Sequence, residues 1–264
     1  MRNRQWRSAG ARWLTSAAVL LCAASLRAQV LPNLEPERPL TIEDATPIPF
    51  RALSVGLDWT YNFRRSALDD EGPGLTVTYG ALRNLEVGAA QRYVTRPGRN
   101  ALRGISSGDL EFHALYGVVE ESARHPALAA RIGVVLPTGL DSRGTDLELG
   151  AIGTRSFEKM RAHASFRWTR LGDILPGERA DRLEGGVAVD FLASAAGRTD
   201  TLILAGVTVR SSLVVNENAI VDVEAGVRQR IGIQTVVFGS IGSQITGRSD
   251  RTQVRLRAGI SHLF

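Results

Sequence analysis

Charged side chains recur at every second position in several segments of this sequence. Arg255 and Arg257 are separated by one residue, as are Asp222 and Glu224. Residues two apart on a β-strand point to the same side, so this spacing gathers charges on one face of a strand. The same phase predicts one charged, lumen-lining face that contains Asp58, Arg131, Arg167, Glu184, Asp222, Glu224, Arg255 and Arg257.

Such a face supports two kinds of chemistry. Its four arginines would form a positive ladder that favours anionic solutes, as rings of Arg or Lys do in anion pores. Alternatively, the arginines pair with the four carboxylates across neighbouring strands and stabilise the structure. We favour the pairing network over the ladder.

The histidines give little indication of catalysis or metal binding. His163 and Ser165 share a strand face, but residues two apart on one strand are separated by about 7 Å of strand rise. A Ser–His nucleophile would need a partner on a neighbouring strand and oxyanion donors, and the sequence shows no such set. The other histidines, His113, His125 and His262, are far apart in the sequence. We therefore predict that the protein is not an enzyme, that it has no metal site and that it needs no cofactor.

The first 28 residues have the pattern of a secretory signal peptide. Four arginines between Arg2 and Arg12 form a basic region, and an apolar run follows from Leu14 to Ala24. We predict cleavage after Ala28. The apolar run is too short for a membrane-spanning helix, which needs about 20 apolar residues.

Loss of the signal peptide changes the charge of the chain. The segment 1–28 carries five arginines and no acid, so the formal net charge falls from +5 to zero. A neutral exported protein lacks the electrostatic basis for binding nucleic acid, and we predict no nucleic-acid partner. Cys22, the only cysteine, leaves with the signal, which excludes disulfides and thiol chemistry in the mature chain.

A segment rich in proline and acidic residues follows at 29–50. Its composition predicts an extended leader on the periplasmic side of the membrane. Whether this leader enters the lumen as a plug stays open from the sequence.

After the leader, polar and apolar residues alternate almost to the end of the chain. In the first strand, Leu53, Val55, Leu57, Trp59 and Tyr61 share one face. This period of two is typical of strands with one apolar and one polar side. We predict a first strand through Phe63 and eleven more at 74–80, 85–93, 109–118, 127–136, 146–157, 161–169, 183–192, 201–210, 219–229, 233–242 and 253–264.

The predicted connections alternate in length. Long connections are expected at 64–73, 94–108, 137–145, 170–182, 211–218 and 243–252, and shorter ones between them. Outer-membrane barrels show this alternation, with long loops outside and tight turns in the periplasm. An even strand count then places both termini in the periplasm.

Aromatic residues are predicted to cluster at strand ends, as in the two aromatic belts of a membrane barrel. One end is expected to hold Trp59, Tyr61, Phe63, Tyr93 and Trp168. The other is expected to hold Tyr79, Tyr116, Phe157, Phe191 and Phe264.

The last strand ends the chain on an aromatic residue. Val254, Leu256, Ala258 and Ile260 share one face, and Phe264 continues the same phase. This pattern resembles the terminal signal that the barrel-assembly machinery reads in the bacterial outer membrane. We therefore predict that Phe264 is an assembly signal and that the assembly machinery and outer-membrane lipid are partners.

Short motifs are similar to those of a family of outer-membrane proteins named after the meta-pathway of phenol degradation. They are Pro-Leu-Thr-Ile-Glu-Asp-Ala at 39–45, Gly-Asp-Leu at 108–110 leading to Tyr116, Pro-Ala-Leu-Ala at 126–129, and Gly-Val-Val-Leu-Pro-Thr-Gly at 133–139. The resemblance implies a barrel that admits small aromatic or hydrophobic organic compounds. It implies no catalytic residues.

The sequence thus predicts an all-β fold: an antiparallel transmembrane β-barrel of about twelve strands over 51–264, in the outer membrane of a Gram-negative bacterium. Twelve strands leave an interior between the filled core of eight and the open channel of sixteen. The predicted function is passive passage of small organic solutes through a narrow, charged lumen. Two alternatives stay open: a structural or surface-interaction barrel with a plugged lumen, and a soluble periplasmic barrel that binds a small ligand.

Overall fold

A computed structural model describes residues 41–64, 68–95, 105–139, 142–193, 201–231, 233–247 and 252–264. Within these ranges, no helix is long and apolar enough to cross a membrane. The described residues form twelve strands: β1 (Leu53–Arg64), β2 (Leu68–Leu82), β3 (Leu85–Thr95), β4 (Ile105–Val119), β5 (Ala127–Leu136), β6 (Asp146–Phe157), β7 (Met160–Arg170), β8 (Asp181–Leu192), β9 (Thr201–Arg210), β10 (Ile220–Arg230), β11 (Thr235–Gln244) and β12 (Thr252–Leu263).

The strands form one closed sheet in which each strand pairs antiparallel with its neighbours in sequence. The first and last strands close the barrel, from Ser54 opposite Leu263 to Arg64 opposite Thr252. Beside this seam, the Phe264 N–H donates to the Leu53 carbonyl at 2.8 Å. Closure pairs the backbone groups that an open sheet edge would leave exposed. The predicted antiparallel barrel of twelve strands is confirmed.

The apolar face of the sheet points outward and the polar face points into the barrel, the reverse of the arrangement in a soluble protein. On the outer face, Leu57 is 52% and Ile241 is 55% exposed, whereas Arg131, Asp190 and Arg228 are 5% or less exposed on the inner face. A soluble barrel would bury its apolar face instead. The soluble alternative does not fit this structure, because it requires the apolar faces inside.

The strand positions follow the predicted alternation, with one clear exception. β5, β6 and β9 begin and end at the predicted residues. The first connection, predicted to be long, spans only 65–67, because β2 stays paired with β1 as far as Phe63 opposite Leu68. Asp, Glu, Gly and Pro at 69–74 have the composition of a loop. A register shift between Trp59 and Thr60 accommodates Pro73 within the strand.

Most of the predicted aromatic residues lie at strand ends. Phe191 is next to the last residue of β8, and Trp168 is two residues from the end of β7. The prediction for Trp59 is wrong, because this residue lies in the middle of β1, where its ring stacks on Tyr61 with centroids 5.9 Å apart.

The closed sheet predicts heat-modifiable migration on a denaturing gel. Unboiled protein, extracted in mild detergent, should keep its barrel and migrate differently from boiled protein, because every strand is paired on both sides. A variant that lacks residues 252–264 cannot close the seam and should show the same mobility with and without boiling. Identical mobilities for the full-length protein would contradict a closed, detergent-resistant barrel.

Candidate functional site

Residues 41–48, called here the luminal segment, lie inside the barrel. Ile42, Ala45 and Ile48 are each 2% or less exposed, although they precede the first strand. The Ile48 N–H donates to Glu86 on β3 at 2.9 Å, and the Thr41 hydroxyl donates to Glu224 on β10 at 2.7 Å. The luminal segment therefore crosses the interior between opposite parts of the wall. Residues 29–40 of the predicted leader lie outside the described residues.

Apolar contacts hold the middle of the luminal segment. Ala45 belongs to a buried cluster on the inner faces of β4, β5 and β6, with Leu115, Ala127, Ala129 and Ile152. The Ala45 N–H donates to the Thr154 hydroxyl at 3.0 Å, so the backbone of the segment is bonded to the wall at the same point.

Glycines in the wall make room for the luminal segment. A Cβ atom on Gly186 would lie 2.9 Å from Cδ1 of Ile42, and one on Gly80 would collide with the Pro49 carbonyl. A Cβ on Gly117 would be less crowded, because it would lie 3.4 Å from the ring of Pro47, an ordinary contact. Glycine in strand interiors permits such close approach of another backbone. At these positions the glycines provide space for the segment.

Two adjacent carboxylates in the luminal segment pair with arginines of the wall. Glu43 Oε1 lies 2.7 Å from Nη1 of Arg131 and 3.7 Å from Nη2 of Arg167. Asp44 Oδ2 accepts a hydrogen bond from Arg161 at 3.0 Å. Buried charges are costly when a partner is removed, so these pairs fix the segment in one position.

A buried polar network lies beneath the segment. His163 Nδ1 is 3.1 Å from the Thr154 hydroxyl, and His163 Nε2 is 3.3 Å from Asp190, which also accepts a 2.6 Å bond from Arg161. The order hydroxyl, imidazole and carboxylate resembles that of a hydrolase triad. However, the Thr154 hydroxyl accepts the Ala45 N–H and is covered by the luminal segment, so a substrate has no access to it. The network anchors the segment.

The partners of His163 lie on the neighbouring strands β6 and β8, and the sequence did not indicate them. The structure places His163 against Thr154 and Asp190, and not in a pair with Ser165. Across the described part of the chain, no group of three or more His, Cys, Asp or Glu side chains could hold a metal ion.

A cavity of about 400 Å³ remains between the luminal segment and the inner face of the barrel wall. A second, much smaller cavity of about 10 Å³, the lower limit for a single water molecule, lies between the luminal segment and β5 to β8. The described residues around the larger cavity include seven arginines and seven carboxylates: Arg92, Arg131, Arg167, Arg182, Arg210, Arg228, Arg257, Glu43, Asp44, Asp58, Glu86, Asp109, Glu111 and Glu184.

The eight residues of the predicted charged face all lie in or beside this interior. Five line the cavity, namely Asp58, Arg131, Arg167, Glu184 and Arg257. Asp222 and Glu224 are buried in the wall, where Arg255 Nη2 lies 3.4 Å from Asp222 Oδ1.

The observed ion pairs only partly match the predicted ones. Arg257 donates a hydrogen bond to Asp58 at 3.2 Å across the β12–β1 seam. Arg255 on β12 pairs with Asp222 on β10, although β11 lies between these two strands. Arg131 contacts Glu111 as well as Glu43, and Arg167 lies 3.9 Å from Glu148. These partners of Arg131 and Arg167 are outside the set of four carboxylates that the sequence suggested.

Phe238 is an inward-facing residue that the sequence analysis did not identify. Its ring lies between two guanidinium groups, 5.9 Å from Arg228 and 5.6 Å from Arg257. A Cβ on Gly259 would collide with this ring, so the ring lies flat against the adjacent strand. Phe238 follows Val236 and Val237, and an uninterrupted apolar run does not reveal which residue points inward. The phase of Ser240 and Gly242 would have identified it.

The chain matches no family model and no curated protein. Its fold is similar to that of an outer-membrane channel from Pseudomonas putida, with a TM-score of 0.63, 12% identity and coverage of 89% of this chain and 100% of that one. The NanC porin is similar with a TM-score of 0.56, 11% identity and coverage of 78% of this chain and 98% of that one. At these identities the likeness shows the fold, that of an outer-membrane β-barrel, and leaves function to be argued from the site.

Substitution of Gly186 should displace the luminal segment. Gly186→Leu inserts a side chain where Ile42 lies, and overpacking of this kind costs about 1–3 kcal/mol. We expect the thiol introduced by Ala45→Cys to react with a maleimide roughly tenfold faster in the presence of Gly186→Leu. The matched control is Gly185→Leu, since a Cβ there would lie 3.7 Å from the Ser165 carbonyl, an ordinary contact. Equal labelling rates in both variants would show that Ile42 does not depend on Gly186.

Proposed function

We propose that this protein is an outer-membrane channel through which small organic solutes cross passively. The observation that carries the proposal is the cavity of about 400 Å³ that a closed barrel with an apolar exterior keeps inside, lined by charged side chains. An interior built only for stability would be filled, as it is in barrels of eight strands.

The exterior supports a membrane location for the proposed channel. Leu57, Ile132, Phe166 and Ile241 are among the apolar side chains that the outer face exposes. In lipid, only helices and closed barrels satisfy every backbone group, and this sheet is closed. The similar structures include proteins named as an outer-membrane channel and a porin. We therefore propose the outer membrane of a Gram-negative bacterium as its location and outer-membrane lipid as its surroundings.

The exposure of Phe264 supports its proposed role as an assembly signal. Its side chain is 65% exposed and packs edge-on against His262, with ring centroids 4.5 Å apart. We propose that the barrel-assembly machinery binds this terminal strand before β12 pairs with β1.

The charge of the cavity favours polar solutes over hydrophobic ones. The resemblance to the phenol meta-pathway family implied aromatic or hydrophobic compounds, and a few apolar side chains, among them Leu115, Val135 and Phe238, do line the cavity. A hydrophobic solute would nevertheless displace water from the surrounding arginines and carboxylates, and such desolvation is costly. We propose small polar organic molecules as the solute class.

A second candidate function is supported by the luminal segment. A lumen that is permanently closed by residues 41–48 would suit a structural barrel whose outer loops bind a partner. Apolar contacts, hydrogen bonds and three arginines hold the segment in place. These contacts favour a segment that stays in the lumen and blocks part of it. Conductance separates the two candidates.

Deletion of residues 41–48 should enlarge the channel. In planar lipid bilayers we expect the full chain to conduct and the deletion variant to conduct about twofold more or better, because twelve strands without the segment leave a wider interior. Replacement of residues 41–48 by glycine and serine is the matched control for length, and it should give the same increase because it removes the side-chain contacts of the segment and keeps its length. If neither the full chain nor the two variants conducts, the channel proposal fails and the structural barrel becomes the better explanation.

A further inference from the structure

The charges around the cavity are distributed unequally between its two sides. Among the described lining residues, the wall from β8 to β12 contributes four arginines and one glutamate: Arg182, Arg210, Arg228, Arg257 and Glu184. The opposite side, built from the luminal segment and β1 to β5, contributes two arginines and six carboxylates: Arg92, Arg131, Glu43, Asp44, Asp58, Glu86, Asp109 and Glu111. Arg167 on β7 lies between the two sides. The cavity is therefore neutral as a whole but carries opposite net charges on its two walls.

Opposed charges across a narrow lumen create an electric field perpendicular to the barrel axis. Low-dielectric walls focus such a field, so it acts more strongly on a solute here than it would in bulk water. An uncharged polar solute gains only through its small dipole, and an ion is attracted by one wall and repelled by the other. A molecule that carries both charges gains at both walls when it aligns with the field.

We infer that the channel favours small zwitterions that carry an ammonium and a carboxylate group. This inference deepens the proposed channel function and depends on it. The carboxylate would face Arg182 and Arg210, and the ammonium group would face Asp109 and Glu111. Guanidinium groups bind carboxylates in a planar, bidentate manner, and carboxylates accept hydrogen bonds from an ammonium group.

Two of these groups can turn toward a solute without leaving a buried charge unpaired. Arg210 lies 3.5 Å from Asp222 and its side chain is 27% exposed, while Asp222 also has Arg255 at 3.4 Å. On the opposite wall, Glu111 contacts Arg131, which keeps Glu43 as a partner at 2.7 Å. Both residues are therefore suited to exchange a protein partner for a solute.

The test compares two isomers that have the same composition and no net charge but differ in whether they carry separated charges. Glycine is a zwitterion and glycolamide is its uncharged isomer, so their fluxes into proteoliposomes can be compared at equal size. We expect glycine to enter roughly twofold to tenfold faster. The ratio should fall toward one in about 1 M salt, where the screening length is only about 3 Å.

Variants on the two walls test the origin of the preference. Arg210→Gln and Glu111→Gln should each lower the glycine-to-glycolamide ratio by about half or more, because each removes charge from one wall only. Arg170→Gln is the matched control, since Arg170 pairs with Asp181 at an exposed strand end and does not line the cavity. Heat-modifiable migration of each variant shows that its barrel is folded.

The possible results separate the inference from the function on which it depends. Equal fluxes of the two isomers through a conducting channel would overturn the zwitterion preference and leave the channel function in place. A fall in the ratio for Arg170→Gln as large as that for Arg210→Gln would also overturn it, because net charge alone would then explain the effect. Absence of both ion conductance and solute flux would overturn the channel function itself.

Discussion

Hydrogen bonding between β1 and β12 is the interaction on which the rest of the structure depends. Once Leu53 and Phe264 exchange backbone hydrogen bonds, the barrel is closed and the inward phase of every strand is fixed. Side chains alternate with a period of two, so a slip of one residue at this seam would exchange the lipid-facing and luminal faces of β12. Arg255 and Arg257 point inward, and Leu256 points outward, because the seam has this register.

Closure gathers many charged side chains in a small volume. The interior supplies oppositely charged partners for them and small residues that leave room for their side chains. Carboxylates of the wall form ion pairs with some of the arginines. The luminal segment provides two more carboxylates: Glu43 lies near Arg131 and Arg167, and Asp44 pairs with Arg161. Small residues supply the space: Gly88 accommodates the ring of His113, and Gly186 accommodates Ile42. The segment is thus a component of the interior rather than an addition to a finished barrel, because it contributes charge where arginines are concentrated and apolar contacts where alanines line the wall.

The strands and their two faces could be predicted from the sequence because both depend on local alternation, which a single strand already displays. The ion-pair partners on distant strands could not be predicted from the sequence, because they depend on the stagger between strands. Arg255 finds Asp222 two strands away, past β11, and no spacing in the sequence indicates that contact. The luminal segment has neither helical nor strand periodicity, so its prolines and acids predicted an extended leader but did not indicate whether it enters the barrel. Phe238 was missed for a related reason, since the apolar run from Val236 to Phe238 conceals the phase of the strand.

The luminal segment is joined to β1 by residues 49–52 alone. This short connection determines how concentrated another molecule must be to replace the segment in the lumen. A segment displaced from its contacts stays tethered at the mouth of the lumen, where short linkers give effective concentrations in about the millimolar range. Its return is an intramolecular event, so the occupancy of the lumen does not change when the protein is diluted. A separate peptide of the same sequence would have to reach a similar concentration to take its place. The degree of closure is consequently a property of the single chain, set by the strength of its own internal contacts and independent of the protein concentration.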